Sequence, residues 1–163
     1  MTMQEHRDKT AVTKETIQRE VLRFLEGRQD IVLVGAWAVN SHTSIGDERQ
    51  TSDIDFMTRS IQELGVLLCA HIMAALDIVV FGQSFPRLVR IYRMVDDKEQ
   101  GLIDVMWTEK LPEFVVIGDC QTATVEELIK MKTLASEQRQ DEAKRLTDLA
   151  DIVRLKRVLA NRT

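Results

Sequence analysis

Two aspartates one residue apart, Asp53 and Asp55, sit inside the run Thr51-Ser52-Asp53-Ile54-Asp55-Phe56. Alternate side chains of a strand share a face. The two acids would therefore point one way, and Ile54 and Phe56 the other, into a core. Carboxylates side by side repel unless positive charge lies between them. A divalent cation meets that need, and magnesium prefers carboxylate oxygens together with substrate phosphates. A third acid, Asp104, lies in the apolar run Leu102-Ile103-Asp104-Val105-Met106-Trp107. A charge in such a run is costly unless it is paired or bound to metal. If its strand lies beside the one carrying Asp53 and Asp55, three carboxylates line one cleft. Two would hold metal, and the third would hold metal or accept a proton, as in two-metal phosphoryl transfer. The structural alternative pairs Asp104 with Arg90 or Arg93.

Elements that position these acids follow from periodicity and caps. Ile17, Val21, Leu22, Phe24 and Leu25 predict an amphipathic helix from Thr13 to Gly27. Ile31 to Val34 reads as a short buried strand, and Ala36 to Ser41 as a helix. The stretch from Thr43 to Ser52, with Gly46 inside, reads as a polar loop. A strand over Asp53 to Thr58 and a helix from Ser60 to about Ala75 come next. The segment Asp77 to Phe81 fits either a short strand or the end of that helix. Leu88 to Val95, a charged turn over Asp96 to Gly101, and Leu102 to Trp107 form a hairpin. Phe114 to Ile117 is a further apolar run. Thr124 with Glu127 predicts a capping box opening a helix to about Ala135, and a last helix spans about Arg139 to Leu159. Mixed strands and helices with an antiparallel hairpin give an α+β fold. The expected organisation is a single domain over 1–163, with a core over about 13–120 and a helical segment over about 124–160.

Composition narrows the function. The 163 residues are 44% hydrophobic and 29% charged, enough for a core with an ordinary polar surface. No apolar run approaches the ~20 residues of a membrane helix, and Met1 to Lys14 is too polar for a secretory signal. Cys69 and Cys120 form no CxxC or Cys/His cluster, which speaks against a zinc site or a disulfide framework. A cytoplasmic location without membrane association is expected. The net charge of −4 hides an acidic body and a basic last fifth, from Lys130 onward. That basic segment suits a phosphate-bearing ligand or an acidic partner, or is simply a solvated helix.

The motifs together resemble the nucleotidyltransferase fold of the DNA polymerase β superfamily, in particular the minimal bacterial nucleotidyltransferases of the abortive-infection and toxin–antitoxin type. The resemblance rests on Val34-Gly35-Ala36-Trp37-Ala38, on Arg49-Gln50-Thr51-Ser52-Asp53-Ile54-Asp55, on Asp104, and on Leu128-Ile129-Lys130-Met131-Lys132 with Asp148-Leu149-Ala150-Asp151-Ile152. It spans roughly residues 31–155. It implies a mixed β-sheet flanked by helices, with a C-terminal helical pair. It also implies Mg2+-dependent transfer of a nucleoside monophosphate from an NTP, ATP among them, to an acceptor that is a tRNA, a protein or a small molecule. Asp53, Asp55 and Asp104 would be the catalytic and metal residues, and Gly35, Ala36 and Lys132 the nucleotide-binding ones. The alternative is a catalytically weak or inactive module of the same fold that acts as a regulatory or toxin–antitoxin partner protein.

Two positions depart from the pattern. Ala36 stands where a second glycine or a serine is usual, and Thr147 where a lysine often precedes the last Asp-Leu-x-Asp, with Lys144 or Arg145 nearby as a substitute. Asp148 and Asp151 share a helix face and read as structural, within reach of Arg145 or Arg154. Leu128, Met131, Leu134, Leu146, Leu149, Ile152 and Leu155 recur at near-helical intervals and call for a surface to bury against.

Overall fold

The computed structural model describes residues 12–43 and 48–162. Gly46 and the middle of the polar loop around it lie outside the described residues. In chain order the elements are α1 (Lys14–Phe24), β1 (Ile31–Val34), α2 (Gly35–His42), β2 (Ile54–Thr58), α3 (Ile61–Leu76), β3 (Phe81–Phe85), β4 (Leu88–Val95), β5 (Lys98–Trp107), β6 (Phe114–Ile117), β7 (Cys120–Ala123), α4 (Val125–Gln138) and α5 (Glu142–Ala160). The strands form one mixed sheet in the order β3-β4-β5-β2-β1-β7-β6. The α+β class and the flanking helices agree with the pattern of the sequence.

Register decides which side chains meet. β2 runs parallel to β5 with Asp55 opposite Asp104. β4 runs antiparallel to β5 with Arg90 opposite Asp104, and β1 runs antiparallel to β2 with Val34 opposite Asp55. Ile54, Phe56, Ile103 and Val105 are fully buried, in one core with Ile17 and Val21 of α1 and Leu64, Leu68 and Ile72 of α3. By strand alternation Asp55 and Asp104 project from the opposite face.

The hairpin departs from expectation. Its turn is only Asp96 and Asp97, both with left-handed backbones (φ 51° and 62°), so β5 begins at Lys98 and takes in Gly101. Aspartate tolerates that conformation, and two such residues close a hairpin with the right twist. Ile91 pairs with Ile103 but Tyr92 with Gly101, so Leu102 is the extra residue of a β-bulge.

Two other strands differ from the sequence reading. Residues 77–80 are neither strand nor helix: Asp77, at φ 50°, ends α3, and the strand comes later as β3, an exposed sheet edge. β7 was not anticipated. Its Cys-Gln-Thr-Ala sequence has no apolar alternation, yet all four residues are buried between β1 and β6.

The two last helices pack on each other and on α2. Thr124 caps α4 by accepting the Glu127 N–H, but its own N–H goes to the Glu113 carbonyl, so the capping box is one-sided. Asp141 caps α5. The contact between them is partly ionic. Asp151 is fully buried and meets Arg49 at 2.9 Å, Lys132 at 3.1 Å and Arg154 at 3.3 Å. Asp148 meets Lys132 and Arg139. Leu128, Ile152 and Leu155 are buried as expected, but Leu134, Leu146 and Leu149 are 58%, 54% and 38% exposed. The charged row takes the helix faces that meet, and turns those three leucines outward.

Asp151→Ala would leave three cations around a buried methyl group. Loss of one partner from a buried ionic cluster costs about 3–5 kcal/mol. Urea denaturation should show a fall of that size, and a change below about 1 kcal/mol would show that the cluster does not hold α5 in place.

Candidate active site

Asp53, Asp55 and Asp104 reach the same region from two adjacent strands. Asp55 and Asp104 are register partners, and Asp53 stands one residue before β2 begins. Two glycines let the carboxylates sit where they do. A Cβ on Gly35 would lie 2.2 Å from Asp55 Oδ2, and Gly35 also has a left-handed backbone (φ 68°). Any side chain there would displace the acid and strain the chain. A Cβ on Gly101 would lie 2.9 Å from Asp53 Oδ1. The sequence offered no sign of this second role, because Gly101 read as a turn residue.

The electrostatics follow from crowding. Burial first, then the charges of Asp104 and Asp53, push the Asp55 carboxyl up to about 7, against the opposing pull of Lys132 and Arg139. Burial and Asp104 push Asp53 up as well, opposed by Arg90, Lys14 and Lys144. Asp104 is held by Arg90, with Nε 3.0 Å from Oδ1 and Nη2 3.4 Å from Oδ2. Of the two arginines considered from sequence, Arg93 goes elsewhere: it donates to Gln100 and to the Val12 carbonyl.

Arg49, part of the approach to the acids, is anchored on both sides. Its guanidinium forks onto Asp151, and its backbone is clasped by the Asn40 amide of α2. Burial raises the Asp151 carboxyl, but Arg49 and Lys132 outweigh it and hold the group below the usual range. Lys132 is wedged between Asp148 and Asp151, at 3.3 and 3.1 Å, and acts on Asp55 through its charge. Ala36 is buried in the first turn of α2, a helix whose N-terminus carries no side-chain cap. Its first amides are the type of group that anions occupy. Lys144, on α5, lies near enough to act on Asp53, whereas Arg145 is paired with Glu142. His42 bonds the Ala123 carbonyl and His71 bonds Glu20, both structural contacts. Trp37 packs against the core with the Arg19 guanidinium 5.7 Å over its ring.

The donor chemistry suits a hard cation: oxygen ligands only, crowded enough that two of them resist ionisation. The side chains as they stand do not complete the set. Among the described residues no three acidic, histidine or cysteine side chains are arranged to hold a metal ion, and both oxygens of Asp104 face Arg90. Also among the described residues, no helix is long and apolar enough to cross a membrane.

No family model and no curated protein matches the sequence. Solved structures do match the fold. The polyadenylate synthase of Megavirus superposes with a TM-score of 0.63 at 14% identity, over 86% of this chain and 31% of that one. An antigenic nucleotidyltransferase-like protein from Paracoccidioides brasiliensis superposes with a TM-score of 0.52 at 17% identity, over 91% of this chain and 75% of that one. The chain thus has the nucleotidyltransferase fold and spans under a third of the viral synthase.

Asp55 gives a pH test. Its folded pKa, about 7, lies above the ~3.9 of an unfolded aspartate, so the folded state holds the proton more tightly. The associated stability is full below about pH 4 and is lost as pH rises to about 7. In metal-free buffer, wild type should lose stability over that window relative to Asp55→Asn, as read by urea midpoints. Parallel pH profiles for the two proteins would contradict the crowding.

Proposed function

We propose that the protein is a metal-dependent nucleotidyltransferase that moves a nucleoside monophosphate from an NTP to an acceptor hydroxyl or phosphate. One observation carries this reading: Asp55 lies directly across from Asp104 and directly under Gly35, so acids and a side-chain-free helix entry share one spot. Asp53, Asp55 and Asp104 would hold Mg2+. When bound, the ion would neutralise the triphosphate and stabilise the attacking and leaving oxygens. Gly35 would let phosphate approach the backbone, and the amides of Gly35 and Ala36 would bind it. Alanine at this position keeps the space small and costs only a hydroxyl donor. Lys132 would add charge from behind the acids.

The acceptor oxygen forms a bond to the α-phosphorus while the bond from that phosphorus to the bridging oxygen breaks. Pyrophosphate leaves, and the proton of an acceptor hydroxyl passes to a site carboxylate. The fold neighbours are proteins described as a polyadenylate synthase and as nucleotidyltransferase-like, in keeping with this chemistry. The minimal bacterial abortive-infection branch remains the proposed affiliation, on the motifs quoted above.

Asp53→Asn and Asp55→Asn each remove a metal-binding charge at constant volume. Either should reduce transfer from α-32P-labelled NTPs by at least about 1,000-fold, with the circular dichroism spectrum unchanged. Wild-type transfer by both variants would overturn the proposed role. Lys132→Ala should weaken nucleotide binding more than Lys156→Ala, since Lys156 is on the exposed face of α5. Equal effects at fixed ionic strength would leave only general charge attraction.

A further inference from the structure

Arg90, Asp104 and Asp55 form one row across three strands, because Arg90 is the register partner of Asp104 and Asp104 of Asp55. Arg90 takes both oxygens of Asp104, and in that arrangement the acids do not form a three-ligand metal set among the described residues. Yet the Arg90 end of this ion pair is open to water. The Arg90 side chain is 43% exposed and that of Asp104 16%. Water reaches the guanidinium end of the pair and screens it, so it holds Arg90 less firmly than a fully enclosed pair would. The contrast is with Asp151, whose side chain is fully enclosed by its cations.

We propose that Arg90 has two successive partners: it holds Asp104 in the cation-free protein, yields that carboxylate to a divalent cation, and then binds the polyphosphate of the substrate. The proposal rests on the nucleotidyl-transfer reading above. A divalent ion among the acids would neutralise Asp104 and repel the guanidinium beside it. The side chain would remain on the same open face of the sheet, one strand away. The anion delivered with the ion is the triphosphate, and a planar guanidinium fork matches phosphate oxygens in pairs. Lys132 cannot move in the same way, because Asp148 and Asp151 clasp its ammonium where it is only 12% exposed. Arg90 is thus a binding residue that guards the third ligand until metal and substrate arrive.

The test needs no turnover and no knowledge of the base. Mn2+ is titrated into wild type, Arg90→Gln, Arg90→Lys and Asp55→Asn, with free Mn2+ read by electron paramagnetic resonance. Binding of inorganic tripolyphosphate to the Mn2+-loaded proteins is then read by calorimetry. Arg90→Gln should bind Mn2+ about threefold more tightly, the competing ion pair being gone, and tripolyphosphate about tenfold more weakly. Arg90→Lys keeps the charge without the fork and should fall between, which also guards against a glutamine variant that fails to fold. Unchanged Mn2+ and tripolyphosphate affinities in the Arg90 variants, with Mn2+ binding lost in Asp55→Asn, would overturn the role of Arg90 and leave the site reading intact. Only one of the two expected effects would also overturn the proposal as stated. Failure of wild type to bind Mn2+, or equal binding by Asp55→Asn, would overturn the site reading and the proposal together.

Discussion

Carboxylates crowded on one sheet face repel each other, and the surrounding structure holds them together against that force. Burial strengthens the repulsion, because charges interact more strongly away from water. Asp55 answers by holding its proton up to about pH 7. The nearby cations share the rest of the burden: Arg90 from the neighbouring strand, Lys132 and Arg139 from α4 and its end, Lys14 and Lys144 from the two helix starts. The sheet contributes register and the glycines contribute space. Without Gly35 the Asp55 carboxylate could not occupy its position at all.

The cations divide into two kinds. Those around Asp151 converge on a fully buried carboxylate, tie α5 to the Arg49 approach segment and to α4, and have a mechanical task. Breaking them disturbs the path that leads into Asp53. Arg90 belongs to the other kind, exposed enough to change partner. A buried frame behind the acids and a more exposed counter-ion in front is the arrangement that the proposed metal site would need.

Much of this was readable from the residues alone, for a physical reason. Strand alternation in Asp53-Ile54-Asp55-Phe56 and in Ile103-Asp104-Val105 placed acids on one side and core on the other, and the structure keeps that division. The cap at Thr124 is an equally local signal. What the sequence did not reveal depends on partners distant along the chain. β7 has no apolar pattern because its burial comes from β1 and β6 on either side. Gly101 has its role only because a bulge brings it against Asp53. The family resemblance assigns Lys132 to the nucleotide, and only the packing of α5 shows its ammonium clasped by two aspartates. Leu134, Leu146 and Leu149 carry a helical period yet stay exposed, since charges occupy the helix contact.

The central claim is that the acid row is a metal-assisted nucleotide site. Crystals grown with Mn2+ and a non-hydrolysable NTP analogue, recorded at the manganese absorption edge, test it most directly. The account predicts an anomalous peak between the Asp53 and Asp55 carboxylates, with the triphosphate lying against the Gly35 backbone. Manganese and phosphate bound elsewhere on the protein, with the carboxylates unliganded, would contradict it.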